Sequence, residues 1–324
     1  MKKHLGRKIA AGVLALVLIA LVLVGNYLVS FAIARKQGVN MEVVPASVMA
    51  EEDVNVMNQN LQTINQQTKE WAQTAAREAA EIISDDGLKL KGDLFRSDVE
   101  ETHRWLLAIH GYTGRRSDMW DVAGFYAGWG YHVLTPDMRA HGESEGDYIG
   151  MGWLDRKDVL KWIDYIIELD PEAEIILHGI SMGGAAVMMT SGEKLPEQVK
   201  GIVEDCGYTS VWDIFDDELA YLFHLPAFPI LYIASGISSL RAGYSFGEAS
   251  ALEQVKKSEV PILFIHGDED NFVHTEMVYK LYEACTSPKD ILVIEGAGHG
   301  AAYGTDPDLY FSTVYDFLER ECGI

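Results

Sequence analysis

The sequence predicts an α/β domain, a mostly parallel sheet flanked by helices, preceded by one N-terminal transmembrane helix. Three observations predict it. From residue 88 onward, short apolar runs recur at intervals wide enough for crossover helices, as in sheets buried on both faces. A fifteen-residue amphipathic stretch, Asp155 to Leu169, lies between two of these runs. Ahead of everything stands an uncharged run of 26 residues, Ile9 to Ala34.

That run is about 39 Å long as a helix, which exceeds a hydrocarbon layer of roughly 30 Å. Lys2, Lys3, Arg7 and Lys8 precede it, and Arg35 and Lys36 follow. The charge bias predicts a cytoplasmic N-terminus and an extracytoplasmic main domain in a single-pass cell-membrane protein, with the bilayer contacted through residues 9–34. Ala32-Ile33-Ala34 also resembles a small-x-small cleavage site, so a secreted product after signal cleavage is the alternative. The length of the run favours the retained anchor.

Residues 1–36 are thus expected to form the anchor, 37–84 a polar helical connector, and 85–324 the main domain. In the connector, Val54, Met57, Leu61, Ile64, Thr68, Trp71, Ala75, Ala79 and Ile82 step by three and four, a narrow helical stripe. It is expected to pack on the main domain, with a stalk or coiled coil as the other possibility. Ser84-Asp85-Asp86-Gly87 should end the helix.

Leu88 to Phe95 alternates as a half-buried strand. Buried strands are expected at Trp105–Ile109, Tyr131–Leu134, Glu174–Leu177, Val199–Val203, Ile262–Ile265 and Ile291–Ile294. Between Asp155 and Leu169 a helix should bury Val159, Trp162, Ile163, Ile166 and Ile167. The 240 residues from 85 onward read as one domain despite their number.

Composition is globular, with 48% hydrophobic and 23% charged residues, which excludes a disordered or fibrous chain. All 49 acidic residues lie beyond position 36, and six of the 26 basic residues lie within the first 36 positions. So acidic a body repels phosphate backbones and excludes nucleic acid as a partner. Cys206, Cys285 and Cys322 are too few and scattered for a disulfide scaffold or a cysteine-rich zinc site. Composition says nothing about oligomeric state.

Chemistry collects where strands end. Leu177 leads into Gly179-Ile180-Ser181-Met182-Gly183, a G-x-S-x-G pattern between an apolar strand and an Ala/Met-rich helix. Such a turn projects a strained serine at a helix N-terminus, where the dipole favours negative charge. A serine hydroxyl needs a base, itself oriented by an acid. Of ten histidines, His299 stands on a glycine loop, Gly296-Ala297-Gly298-His299-Gly300, past the last strand. The acid candidates are Asp268, Glu269 and Asp270 after Ile262–Ile265, and Asp205 after Val199–Val203. A tetrahedral intermediate also needs backbone donors. Met182 and Tyr112, the latter in the loop His110-Gly111-Tyr112-Thr113-Gly114, are the candidates.

These residues resemble the α/β-hydrolase superfamily, in its serine-aminopeptidase-like and membrane-anchored Bem46-like branch. The resemblance spans about Gly87 to Leu318. Its motifs occur in order: His110-Gly111-Tyr112, Asp137 to Ser144, the Gly179–Gly183 elbow, then His266-Gly267-x-x-Asp270-x-x-Val273 and Gly298-His299-Gly300. It implies the α/β-hydrolase fold with a helical cap at about 207–245, and Asp270 as the acid. It also implies a structural role for the Asp137–Ser144 loop, where Ala140 replaces the usual glycine. The expected activity is hydrolysis of a small acyl ester, thioester or amide, peptide-like substrates included, through Ser181, His299 and Asp270. No metal or organic cofactor is implied. An aminopeptidase or acyltransferase with the same triad is the alternative. A non-catalytic envelope scaffold on this fold is the alternative from another class. The cap segment Leu219–Ile237 is apolar but broken by His224, Pro226 and Pro229. It should form helices over the sheet edge and a lid over an acyl or aromatic pocket.

Overall fold

A computed structural model describes residues 2–35 and 51–324. The boundary expected at 36–37, and residues 37–50 of the connector with Gly38 and Pro45, lie outside the described residues.

Eight strands form one sheet. They are β1 (Arg77–Ile83), β2 (Lys89–Phe95), β3 (Arg104–Ile109), β4 (His132–Pro136), β5 (Glu174–Ile180), β6 (Val199–Asp205), β7 (Ile262–Gly267) and β8 (Lys289–Ile294), in the spatial order β1-β2-β4-β3-β5-β6-β7-β8. β1 and β2 are antiparallel, as are β2 and β4, and every pair from β4 to β8 is parallel. The central strands carry Leu106, Leu107, Ile176, Leu177, Ile202 and Val203, all fully buried, because helices cover both faces.

The helices are α1 (Lys2–Ile33), α2 (Glu51–Thr74), α3 (Trp120–Gly128), α4 (Asp155–Leu169), α5 (Met182–Ser191), α6 (Val211–Phe223), α7 (Ala227–Arg241), α8 (Ala251–Val255), α9 (Glu276–Ala284), α10 (Ala302–Thr305) and α11 (Pro307–Phe317). One core layer gathers Val159, Trp162 and Ile163 of α4 with the buried face of α5; the other gathers Tyr126 of α3 with Tyr310 and Val314 of α11. α4 spans the residues its stripe predicts. α6 and α7 form the cap between β6 and β7.

The connector differs from expectation in its second half. α2 stops at Thr74, and Arg77–Ile83 is the edge strand β1. Ala79 and Ile82 fall in register with a helix but sit in an Arg-Glu-Ala-Ala-Glu-Ile-Ile stretch that pairs residue for residue with β2. Tertiary pairing outweighs a weak helical stripe here. Lys89 and Lys91 face Glu81 across this edge, a charged border that discourages further strand addition. α2 itself docks on the domain. Ile64 and Thr68 are buried, Trp71 packs on Phe95 with ring centroids 4.6 Å apart, and Asn60 donates to the Gly304 carbonyl.

α1 is two things along its length. From Ile9 to Val24 its large apolar side chains are exposed except the half-buried Leu21, while Gly25, Val29 and Ile33 are buried. A Cβ on Gly25 would sit 2.9 Å from Ile233 Cγ2, so α7 approaches α1 at a distance only glycine permits. Beyond the helix, the Ile149 amide donates to the Ile33 carbonyl, and the Arg35 guanidinium donates to the carbonyls of Gly142 and Ser144.

Ala140 adopts φ +62°, which explains why a glycine is usual there: the left-handed region costs an L-residue roughly 1–2 kcal/mol. Its loop is structural, as expected. Arg139 pairs with the buried Asp158 at 2.6 Å, and Arg116 with Asp137 at 2.6 Å.

Candidate active site

β5 ends at Ile180 and α5 begins at Met182, so Ser181 alone makes the reversal, with φ 58° and ψ −118°. The turn is possible because its flanks lack side chains. A Cβ on Gly179 would lie 2.1 Å from the Gly183 carbonyl oxygen, and one on Gly183 2.0 Å from the Ile109 carbonyl oxygen. The elbow is held from the next strand, where the Asp205 carbonyl accepts the Ser181 amide at 2.8 Å. The strain at Ser181 is thus imposed by a close-packed junction of β3, β5, β6 and α5.

The structure brings Ser181, His299 and Asp270 together. The Ser181 hydroxyl lies 2.8 Å from His299 Nε2, and His299 Nδ1 lies 2.7 Å from Asp270 Oδ2. Asp270 Oδ1 accepts the amides of Phe272 and Val273 at 3.0 and 2.9 Å, which fixes the carboxylate in its turn. His266 Nε2 donates to the Val273 carbonyl and stands 3.2 Å from Asp270 Oδ2. Burial alone would raise the Asp270 carboxyl, but hydrogen bonds from His266 and His299 hold it well below the usual carboxylate range. An ionised acid therefore faces Nδ1, the arrangement that leaves Nε2 free to accept the serine proton.

The rival acids are engaged elsewhere. Asp268 Oδ1 accepts the Gly296 amide and so shapes the histidine loop. Asp205 Oδ2 accepts the Tyr310 hydroxyl, which continues through His178 to Tyr126 as a buried polar chain. Burial raises Asp205 to about 6 and lowers His178 to about 3.

Met182 is the first residue of α5, directly after Ser181, and Tyr112 follows Gly111, on which a Cβ would lie 3.3 Å from Ser181 Cβ. The Tyr112 loop is pinned. His110 Nδ1 donates to the Gly111 carbonyl, and the Thr113 amide donates to His141 Nε2. Burial, with His110 nearby, lowers His141 to about 3, so its ring is neutral and able to accept. The Tyr112 hydroxyl donates to the Ala32 carbonyl at the end of α1.

A cavity of about 250 Å³ opens from Ser181 and His299 under the cap. Phe215, Leu219, Phe223 and Leu231 wall it from α6 and α7, and Leu28, Phe31 and Ala32 from α1. Glu218 is the one carboxylate on its wall among the described residues. One Glu218 oxygen is buried without a partner, and burial, with Asp217 beside it, raises the group to about 7. Cys206 Sγ, an Asp270 oxygen and a His299 nitrogen lie within 4.8 Å of one another. Burial, then the charges of Asp205 and Asp270, pushes the thiol well above its ordinary value, which disfavours the thiolate a metal requires.

The profile of the prolyl oligopeptidase family matches residues 117–324. The chain belongs to the prolyl oligopeptidase family. Membership makes it an α/β-type hydrolase, and the match begins after the Tyr112 loop, leaving α1 and α2 outside it. Protein YqkD of Bacillus subtilis is 28% identical to this chain over 244 residues, 74% of this chain and 78% of its own. Protein bem46 of Schizosaccharomyces pombe is 22% identical over 269 residues, 80% of each chain, in keeping with the Bem46-like assignment. The fold recurs in the Pyrococcus furiosus esterase Pf2001, with TM-score 0.63 and 24% identity over 77% of this chain and 94% of that one. It recurs also in the Pyrococcus horikoshii acylaminoacyl peptidase, with TM-score 0.58 and 18% identity over 77% of this chain and 42% of that one.

Sequence reasoning missed the α1 wall of the cavity. The signal was present: Gly25, Val29 and Ile33 recur every four residues, and Asn26 and Ser30 add polar groups that a purely lipid-facing helix lacks.

Proposed function

We propose that the protein is a membrane-anchored serine hydrolase that cleaves carboxylic ester, thioester or amide bonds through an acyl-enzyme on Ser181. The observation that carries this reading is the hydrogen-bonded series Ser181–His299–Asp270 at the head of an apolar cavity. Ser181 Oγ attacks the carbonyl carbon and His299 Nε2 takes its proton. The Met182 and Tyr112 amides receive the oxyanion, where such donors contribute most. His299 returns the proton to the leaving group, and water then repeats the sequence to release the acid. Asp270 orients the imidazole and stabilises its cationic form.

α1 acts in this reading as a retained anchor, with the N-terminus cytoplasmic and the domain outside. Cleavage after Ala34 would remove Val29 and Ile33 from the core, which supports retention over secretion. A second reading, an aminopeptidase, rests on Glu218, whose carboxylate would receive a substrate amine.

The test is a fluorophosphonate probe and a panel of acyl esters, amides and aminoacyl amides on the full chain. Ser181→Ala should abolish labelling and turnover while the fold persists. Labelling that survives on another serine overturns the assignment, and a preference for free α-amines selects the aminopeptidase.

A further inference from the structure

We propose that the cavity takes the acyl chain of an ester-bearing membrane lipid, which enters from the bilayer alongside α1. The proposal rests on Ser181 being the nucleophile, and it names the substrate class of that site.

The exposed apolar part of α1, Ile9 to Val24, is about 24 Å long, close to the roughly 30 Å of a hydrocarbon layer. The cavity wall begins one turn later, at Leu28. The span therefore continues into the active site as one helix, and the cavity starts at the level where acyl chains meet their headgroups.

The cap faces the same way. Gly25 meets Ile233 and Ile237, and Arg241 bonds Asn26 and Ser30. Residue numbers rise together along the two helices, so the beginning of α7 points toward the apolar span. At that end Phe228 is 74% exposed and Tyr232 59% exposed, and Tyr221 of α6 is 59% exposed. Aromatic side chains left in the open beside a membrane helix match the belt that tyrosine and other aromatics form at bilayer interfaces. Close by in the chain, Leu222, Phe223 and Leu231 belong to the cavity wall that also holds Ser181.

The chemistry balances with water as the one further reactant. The bond from Ser181 Oγ to the acyl carbon forms as the ester carbon–oxygen bond breaks. The lipid alcohol leaves with the proton carried by His299, and water returns the fatty acid.

The experiment uses the full chain reconstituted in phosphatidylcholine vesicles. A fluorogenic palmitoyl glycerolipid is placed either in the same vesicles or in separate ones, and a soluble butanoyl ester is measured in parallel. Wild type should prefer the palmitoyl lipid of its own bilayer over the butanoyl ester. Leu28→Trp and Ala32→Trp should each cut that preference at least about tenfold, the scale on which a pocket discriminates by chain fit. Phe228→Asp should cut it in the same direction. Two narrowing variants guard against one that misfolds, and fluorophosphonate labelling reports whether each site is assembled. A preference unchanged in labelled variants, or equal service to lipid in separate vesicles, overturns the bilayer route while leaving the hydrolase reading intact. Wild type that labels at Ser181 but cleaves only the butanoyl ester also overturns it. No labelling and no turnover of any ester overturns both.

Discussion

The hydroxyl of Tyr112 donates to the carbonyl of Ala32, so the loop bearing a proposed oxyanion amide is tied to the last turn of α1. Burial raises Tyr112 to about 12, which keeps it a donor at every working pH.

Tyr112→Phe removes this tie and leaves the ring in the cavity wall. A lost hydrogen bond of this kind costs about 1 kcal/mol, to be read as a lower denaturant midpoint. The rate of fluorophosphonate labelling should fall with it, because the loop amide is no longer held. A variant with the wild-type midpoint and labelling rate would show that the tie is idle.

Among the acids, Asp270→Asn should lower kcat by about 10⁴, the scale seen when a triad acid is neutralised, with a far smaller change in KM. Asp268→Asn and Asp205→Asn should each cost less than about tenfold in kcat, since these carboxylates bond Gly296 and Tyr310 instead. Steady-state kinetics on the three variants decide it. A severe Asp205→Asn beside a mild Asp270→Asn would move the acid to the end of β6.

Ala140→Gly should stabilise the protein. It relieves a positive φ worth roughly 1–2 kcal/mol, against an unfolded-state penalty for glycine of about 0.4–1 kcal/mol. Denaturant melts should therefore show a gain of up to about 1.6 kcal/mol. A loss would mean that the buried methyl group contributes more than the strain removes.

Glu218 gives stability a pH dependence with a definite sign. Its folded value, about 7, lies above the ordinary glutamate value of 4.5, so the folded state holds the proton more tightly. The protonated group fits the fold, and stability is lost as pH rises through the interval between those values. Glu218→Gln should therefore melt above wild type at about pH 8 and close to it at about pH 4. Taking the difference between variant and wild type cancels Asp155 and Asp205, which burial raises into the same range. A gap of equal size at both pH values would place the Glu218 carboxyl in ordinary solvent.

The parts legible in the sequence are those where one local requirement dominates. Gly179 and Gly183 are readable because no other residue fits the elbow, and α4 because its apolar stripe has a single period. β1 was hidden because Ala79 and Ile82 satisfy two periodicities and only the pairing with β2 selects one. The cavity wall from α1 was hidden for a different reason. Leu28 and Ala32 suit lipid and protein equally, so their composition is silent about which they face. Ser181, His299 and Asp270 were each legible as candidates. Their meeting depends on three loops from β5, β7 and β8, and loop paths are fixed by long-range packing.

The docking of α1 on the cap also sets an order of assembly. α1 is synthesised first, yet the Arg241 that bonds Asn26 comes 215 positions later. Through that interval Gly25, Asn26 and Ser30 have no cap to meet, so this long-range contact closes late. A nascent chain halted before α7 would carry α1 and its first six strands but no enclosed cavity. The fold thereby delays its binding chamber until nearly three-quarters of the polypeptide has been made.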